Sequence, residues 1–338
     1  MGRHEPGTWA VDWSAPDYSV DENGKVAGFV NDRQPNNWGR WGELDEIGTV
    51  NLITPEVIKG AAGLIEEGRI ISCAIPLDST GPVHPSRSGP NHWYAYSGAD
   101  FIAGTVLNAV YPSAQVTDDY LSLPLQGSTQ WDGLAHFGYR DTLYNGFWLG
   151  NVEGVGGAHK LSIHKVSTKL VGRGVLVDVA RHKGKDRLEQ GYGITVADLD
   201  EAIAAEGVEV RSGDILILRT GHIPWWYELG PEEKSSFFTG SPGITGEVVQ
   251  WLADKDVAAL AVDNVAVEVE PHEEPYEHVY PLHARLIRDL GLSLGEIWHL
   301  EELSKICADS GRYEFFVAAQ PLNITNASGS PLNPIVIW

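Results

Sequence analysis

From Thr54 onward the apolar positions fall at helical spacing. Val57, Ile58, Ala61, Ala62, Leu64 and Ile65 share one face, which predicts a helix with Thr54 as N-cap, Pro55 in its first turn and Gly68 just past its end. The apolar run IISCAIPL that follows reads as a strand. In the second half the two periods alternate. RGVLVDVA reads as a strand, TVADLDEAIAAEG as a helix between Thr195 and Gly207, DILILRTG as a strand, TGEVVQWLADK as a helix and DVAALAVDN as a strand. PLHARLIRDLG adds a helix with Leu282, Leu286, Ile287 and Leu290 on its apolar side, and RYEFFVAAQPLNI a late strand. That order implies an α/β protein layered around a buried sheet. The first fifty or so residues have neither period. They are rich in Asn, Gly, Asp and Trp, and predict an irregular arm over 1–53 packed on a single body over 54–338.

Composition narrows the partners. The 338 residues are 43% hydrophobic, enough for a sizeable core. With 24 basic against 46 acidic residues the formal charge is −22, which argues against nucleic acid or an anionic membrane surface and for a small-molecule substrate. No stretch approaches the roughly 20 apolar residues of a membrane span, and the start has no basic region leading into an apolar run. Two cysteines, Cys73 and Cys307, are too few for a disulfide scaffold or a thiolate metal site, so a reducing cytoplasm is the expected location.

The candidate chemistry gathers in QGSTQWDGLAHFGY, residues 126–139. In a regular strand Gln126, Gln130, Asp132 and His136 would all project to one side, while Gly127, Ser128, Gly133 and Ala135 leave room for a ligand to approach. An isolated Q-x-D-x-x-x-H is more often a surface strand facing water, so spacing alone does not make a site. No G-x-S-x-G elbow, G-x-x-x-x-G-K-[ST] loop or G-x-G-x-x-G turn is present, which removes the carriers of serine-hydrolase, nucleotide-hydrolase and dinucleotide chemistry.

STQWDGLAH resembles the signature H-x-G-T-H-x-D-x-P-x-H of the cyclase-like metal-dependent hydrolases, the group of bacterial kynurenine formamidase and isatin hydrolase. Further segments resemble longer members of that group, among them WGELDEIGTVNLITPE, FFTGSPGIT, PLHARLIRDLGLSLGEIWHLEEL and the ending AAQPLNITNASGSPLNPIVI. The resemblance covers most of the chain from about Trp41. It implies a swivelling β/β/α fold, a homodimer or homotetramer, and a metal-dependent hydrolase acting on a cyclic or N-acyl amide, or a lactone. Carried over residue by residue, it makes Asp132 a metal ligand, His136 the acid/base, and His283 and Glu296 the later ligand pair. The departure is at the first metal, where Gln126 and Gln130 stand in place of both histidines and Leu134 replaces the proline. One divalent ion is therefore expected, Mn²⁺ or Zn²⁺, held by Asp132, His283 and Glu296 with help from Gln130; the oxygen-rich set suits Mn²⁺ at least as well as Zn²⁺.

Other residues carry competing readings. His84 and His92 lie in a Pro- and Gly-rich loop, and His222 follows a strand end, where α/β sheets commonly place ligands. Trp93 and Trp131, with His222, are candidates to contact substrate, although tryptophans equally fill cores. The acidic run EVEPHEEPYEH, Glu268 to His278, reads as a solvated loop. Two rivals to the hydrolase stay open: a non-catalytic binding protein in which the glutamines record a lost metal site, and a lyase or isomerase using Asp132 and His136 on an enolisable substrate.

Overall fold

The structure, a computed structural model, describes residues 16–105, 114–272 and 280–338. The sequence periods recur in it as one nine-stranded mixed sheet. In chain order its strands are β1 (Ile70–Ser72), β2 (Gln130–Asp132), β3 (Val171–Asp178), β4 (Ile215–Arg219), β5 (Ala259–Val262), β6 (Ser293–Glu296), β7 (Glu314–Ala318), β8 (Gly329–Pro331) and β9 (Ile335–Ile337). Their spatial order is β1-β9-β7-β3-β4-β5-β6-β2-β8. The four central strands β3 to β6 run parallel, and antiparallel strands close both sides.

Alternation along the parallel strands sorts side chains into two cores. Val175, Val177, Leu216, Leu218, Leu260 and Val262 go to one face, and Leu176, Ile215, Ile217, Ala259 and Ala261 to the other. The second core is finished by Trp131, Trp298 and Phe315; the first takes in Leu199 and Ala202 of α2 (Val196–Glu206). Thr195 caps that helix as expected: its side chain accepts from Asp198 N–H, and Gly207 ends it in the left-handed region at φ 66°.

Differences from the sequence expectation are local. α1 (Pro55–Ala62) is capped by Thr54 as predicted but ends a turn early, at Gly63, so Leu64 and Ile65 lie outside it. The helix expected from Pro281 is an α-turn, Pro281–His283, that widens into a π-helix, Ala284–Leu290. Such a widening often marks a functional position. Residues 36–40 of the arm are tied to the body: Asn37 N–H donates to Asp289 O (3.0 Å), Trp38 Nε1–H donates to Arg288 O (2.7 Å), and Arg40 clasps both carboxylate oxygens of Asp256. No helix among the described residues is long and apolar enough to cross a membrane.

Candidate metal centre

Three chain segments distant in sequence meet beside the carboxyl end of β6. β2 pairs with β6 so that Gln130 lies opposite Glu296 and Asp132 opposite Leu294. Because side chains alternate, Gln130, Asp132 and Glu296 face one side of the sheet, and Trp131 faces the other. Gly295 beneath them has no spare room, since a Cβ there would stand 2.8 Å from the Trp131 ring and 2.7 Å from the Ala261 side chain. That close packing fixes the β2–β6 register, and with it the spacing of the two acids. The turn Pro281–His283 brings the third group. One ligand atom each from Asp132, His283 and Glu296 lie within 4.8 Å of one another, all three residues buried.

Behind His283 stands a residue the sequence reading placed in solvent. Glu268 is fully buried; its Oε1 accepts from His283 Nδ1 (2.5 Å) and His283 N–H (2.9 Å), and its Oε2 from Leu282 N–H (2.9 Å). The acidic run beginning at Glu268 is thus no solvated loop at its start, because those buried donors require an acceptor; residues 273–279 of that run lie outside the described residues. The Glu268 contact fixes the ring so that Nε2 points to Glu296 Oε1 at 3.2 Å, the arrangement that orients a metal-binding imidazole. Backbone strain accompanies it. Val267 (φ 61°) and Ile297 (φ 57°) are β-branched residues in the left-handed region, immediately next to Glu268 and Glu296. Such conformations cost on the order of 1–3 kcal/mol each and persist where the surroundings hold a functional geometry.

The electrostatics call for a cation. Burial, then repulsion from Asp132, pushes the Glu296 carboxyl up to about 7. Burial would lower the His283 pKa, but its hydrogen bonds to Glu268 and Glu296 lift it to about 10. A divalent ion would meet the same need without the extra proton, neutralising the carboxylates with His283 Nε2 available as a ligand. Asp132 Oδ1 and Gln130 Oε1 are moreover buried without a hydrogen-bond partner. These residues fit a metal ion, and an oxygen-rich shell with one imidazole accepts Mn²⁺ or Zn²⁺. Glu268→Gln is expected to weaken metal affinity roughly 10–100-fold, measured by competition with a chelator; wild-type affinity would show that Glu268 does not orient His283.

A cleft of about 140 Å³ opens over the triad. His136 lines it, Nε2 3.8 Å from Asp132 Oδ1. The regular strand expected from Gln126 to His136 is confined to Gln130–Asp132; a turn at Gly133, closed by His136 N–H donating to Gly133 O (2.9 Å), swings the imidazole back over the acid. Burial holds the His136 pKa below its ordinary value, so the ring is neutral at pH 7. Gln130 has a second use: its Nε2–H donates to Glu296 Oε2 (2.9 Å) and orients that carboxylate. Gln126 turns aside, donating to Ser328 Oγ (3.3 Å).

The residues expected to contact substrate, Trp93, Trp131 and His222, do not line this cleft. Trp131 is buried in the opposite core against Trp298, its Nε1–H donating to Ala319 O (2.6 Å), because it alternates with Gln130 and Asp132. Trp93 stands on an exposed hairpin stacked on Tyr120. His222 does follow β4, but it is buried against Phe237 and Trp225; burial and the Arg187 charge push its pKa down to about 3. His92 pairs with Asp119 outside the cleft. His84 lines it, together with Arg87 and Tyr280, which no sequence pattern singles out.

Comparison with known proteins agrees with this architecture. A cyclase family model matches residues 71–269. The crystal structure of a novel cyclase is 49% identical, covering 90% of this chain and 99% of that one, with a TM-score of 0.85. Isatin hydrolase A from Ralstonia solanacearum (19% identity, 84% and 97% coverage, TM-score 0.57) and from Labrenzia aggregata (17%, 83% and 97%, 0.55) share the fold. No curated protein sequence matches. A family model spanning more than half of the chain and a 49% identical relative along nearly all of it agree with the motif at Asp132 and His136: the chain belongs to the cyclase family.

Proposed function

We propose that this protein is a metal-dependent hydrolase that opens a cyclic or N-acyl amide, or a lactone, in a small-molecule substrate. The observation that carries this reading is the convergence of Asp132, His283 and Glu296 within 4.8 Å, with Glu268 fixing the imidazole and His136 beside the acid. The three would hold one Mn²⁺ or Zn²⁺, with Gln130 Oε1 as a further oxygen at hand. When bound, the ion lowers the pKa of water toward about 7 and polarises the substrate carbonyl.

The chain's own groups do the rest. Neutral His136 accepts the proton that water loses as its oxygen bonds to the carbonyl carbon. The carbonyl π electrons move onto oxygen, and when they return the C–N or C–O bond breaks. His136 then gives its proton to the departing nitrogen or oxygen. Phe137, Val265 and Ala266 supply the apolar lining that limits bulk water.

The test is elemental analysis of the purified protein followed by a screen of cyclic amides, N-acyl amides and lactones read by product mass. About one Mn or Zn per chain and products heavier by one water are expected. Products of unchanged mass would make the protein an isomerase, and a metal-free protein that cannot be loaded would sink the reading.

A further inference from the structure

Among the described residues the cleft is lined by one permanently charged cation, Arg87, and the three candidate metal ligands do not include it. Residues 84–87 form a tight turn in which His84 Nδ1 contacts Ser86 Oγ (2.8 Å) and Arg87 N–H donates to His84 O (2.8 Å). The turn delivers the Arg87 side chain to the same small cleft as Asp132, His136 and Glu296. Arg87 Nη1–H donates to Gln126 O (2.6 Å), and this is the guanidinium's one hydrogen bond among the described residues. No carboxylate there forms an ion pair with it, although the chain carries 46 acidic residues and three buried acids, Asp132, Glu268 and Glu296, stand at the triad. Its remaining N–H donors keep the fork geometry that suits anionic oxygen.

We propose that Arg87 binds the reacting carbonyl oxygen: it takes the negative charge that develops there during attack, and then holds the carboxylate that hydrolysis releases. The inference rests on the hydrolase reading for the identity of that oxygen. Three observations place it there. A cleft of about 140 Å³ is too small to keep a bound carbonyl far from any of its walls. On the β2 side Gln126 and Gln130 are neutral, so Arg87 is the positive group on that wall. The Gln126 carbonyl anchors the guanidinium in place, so little reorganisation is needed as the charge forms.

Benzoate, a simple carboxylate of product type, is the probe. It is titrated calorimetrically into metal-loaded wild type, Arg87→Ala, Arg87→Gln and Arg87→Lys, with metal content measured in each. Arg87→Gln can still donate to the Gln126 carbonyl but has no charge. Expected are binding roughly 10–100-fold weaker in Arg87→Ala and Arg87→Gln at unchanged metal content, and partial recovery in Arg87→Lys. Wild-type affinity in Arg87→Gln would reduce Arg87 to a structural anchor and overturn the proposal, as would a wild type that binds no benzoate. Arg87-dependent binding in a protein without turnover on any amide or lactone would instead count against the hydrolase reading, leaving the anion site in place.

Discussion

Replacing His283 with alanine is expected to remove bound metal and catalytic activity together. In the proposed site the imidazole would be one of three protein ligands, and the buried Glu268 carboxylate aims its Nε2 at Glu296. Metal content should fall from about one per chain to near zero after dialysis against a weak chelator. The substitution also leaves Glu268 and Glu296 buried without their shared partner, a loss that commonly costs about 3–5 kcal/mol. A thermal unfolding midpoint measured beside the metal content separates the two effects. Asp132→Asn, nearly isosteric, should lose the metal with a smaller change in midpoint. Full metal content in both variants would mean that the triad is not the metal site.

His136→Ala is expected to do the opposite to the metal: content stays at the wild-type level while turnover falls on the order of 10²–10⁴-fold. The two histidines differ because their surroundings differ. His283 lies between two carboxylates, which raise its pKa to about 10 in the absence of a competing cation. His136 sees burial first and one acid at 3.8 Å, and its pKa is lowered. A neutral ring lining the cleft can accept a proton from water at pH 7; a ring holding a metal ion could not. Steady-state rates and metal analysis on the same preparation test this. Unimpaired turnover in His136→Ala would remove it from the mechanism.

The strands and helices of the second half were legible because their apolar period is carried by local sequence. Thr195 and Gly207 bound α2 as read, since capping and the left-handed turn are decided within a few residues. Where the reading went astray, a long-range partner decided the outcome. Trp131 has the amphipathic character of a ligand-contacting residue, but its neighbours on β2 needed the cleft side, so alternation sent it into the core. His222 occupies a strand end as expected, yet the aromatic cluster around Phe237 closes over it. Glu268 sits in a dense acidic run, and composition gave it to solvent. The backbone donors of Leu282 and His283, 14 and 15 residues later, are what bury it.

The sequence by itself therefore determined the α/β alternation, the cap positions and, through the motif at Asp132 and His136, the family. These depend on residue type and short spacing, which survive without coordinates. Only the tertiary structure decided that Asp132, His283 and Glu296 converge on one point, that Gln130 supports Glu296, that Glu268 stands behind the imidazole and that Arg87 enters the cleft with no carboxylate partner among the described residues. Those relations are made by strand register across 164 residues (Asp132 to Glu296), by the turn Pro281–His283 and by a loop folding back onto Gln126. None of them leaves a local pattern, because the groups that satisfy one another's charge and hydrogen bonds become neighbours only when the sheet forms.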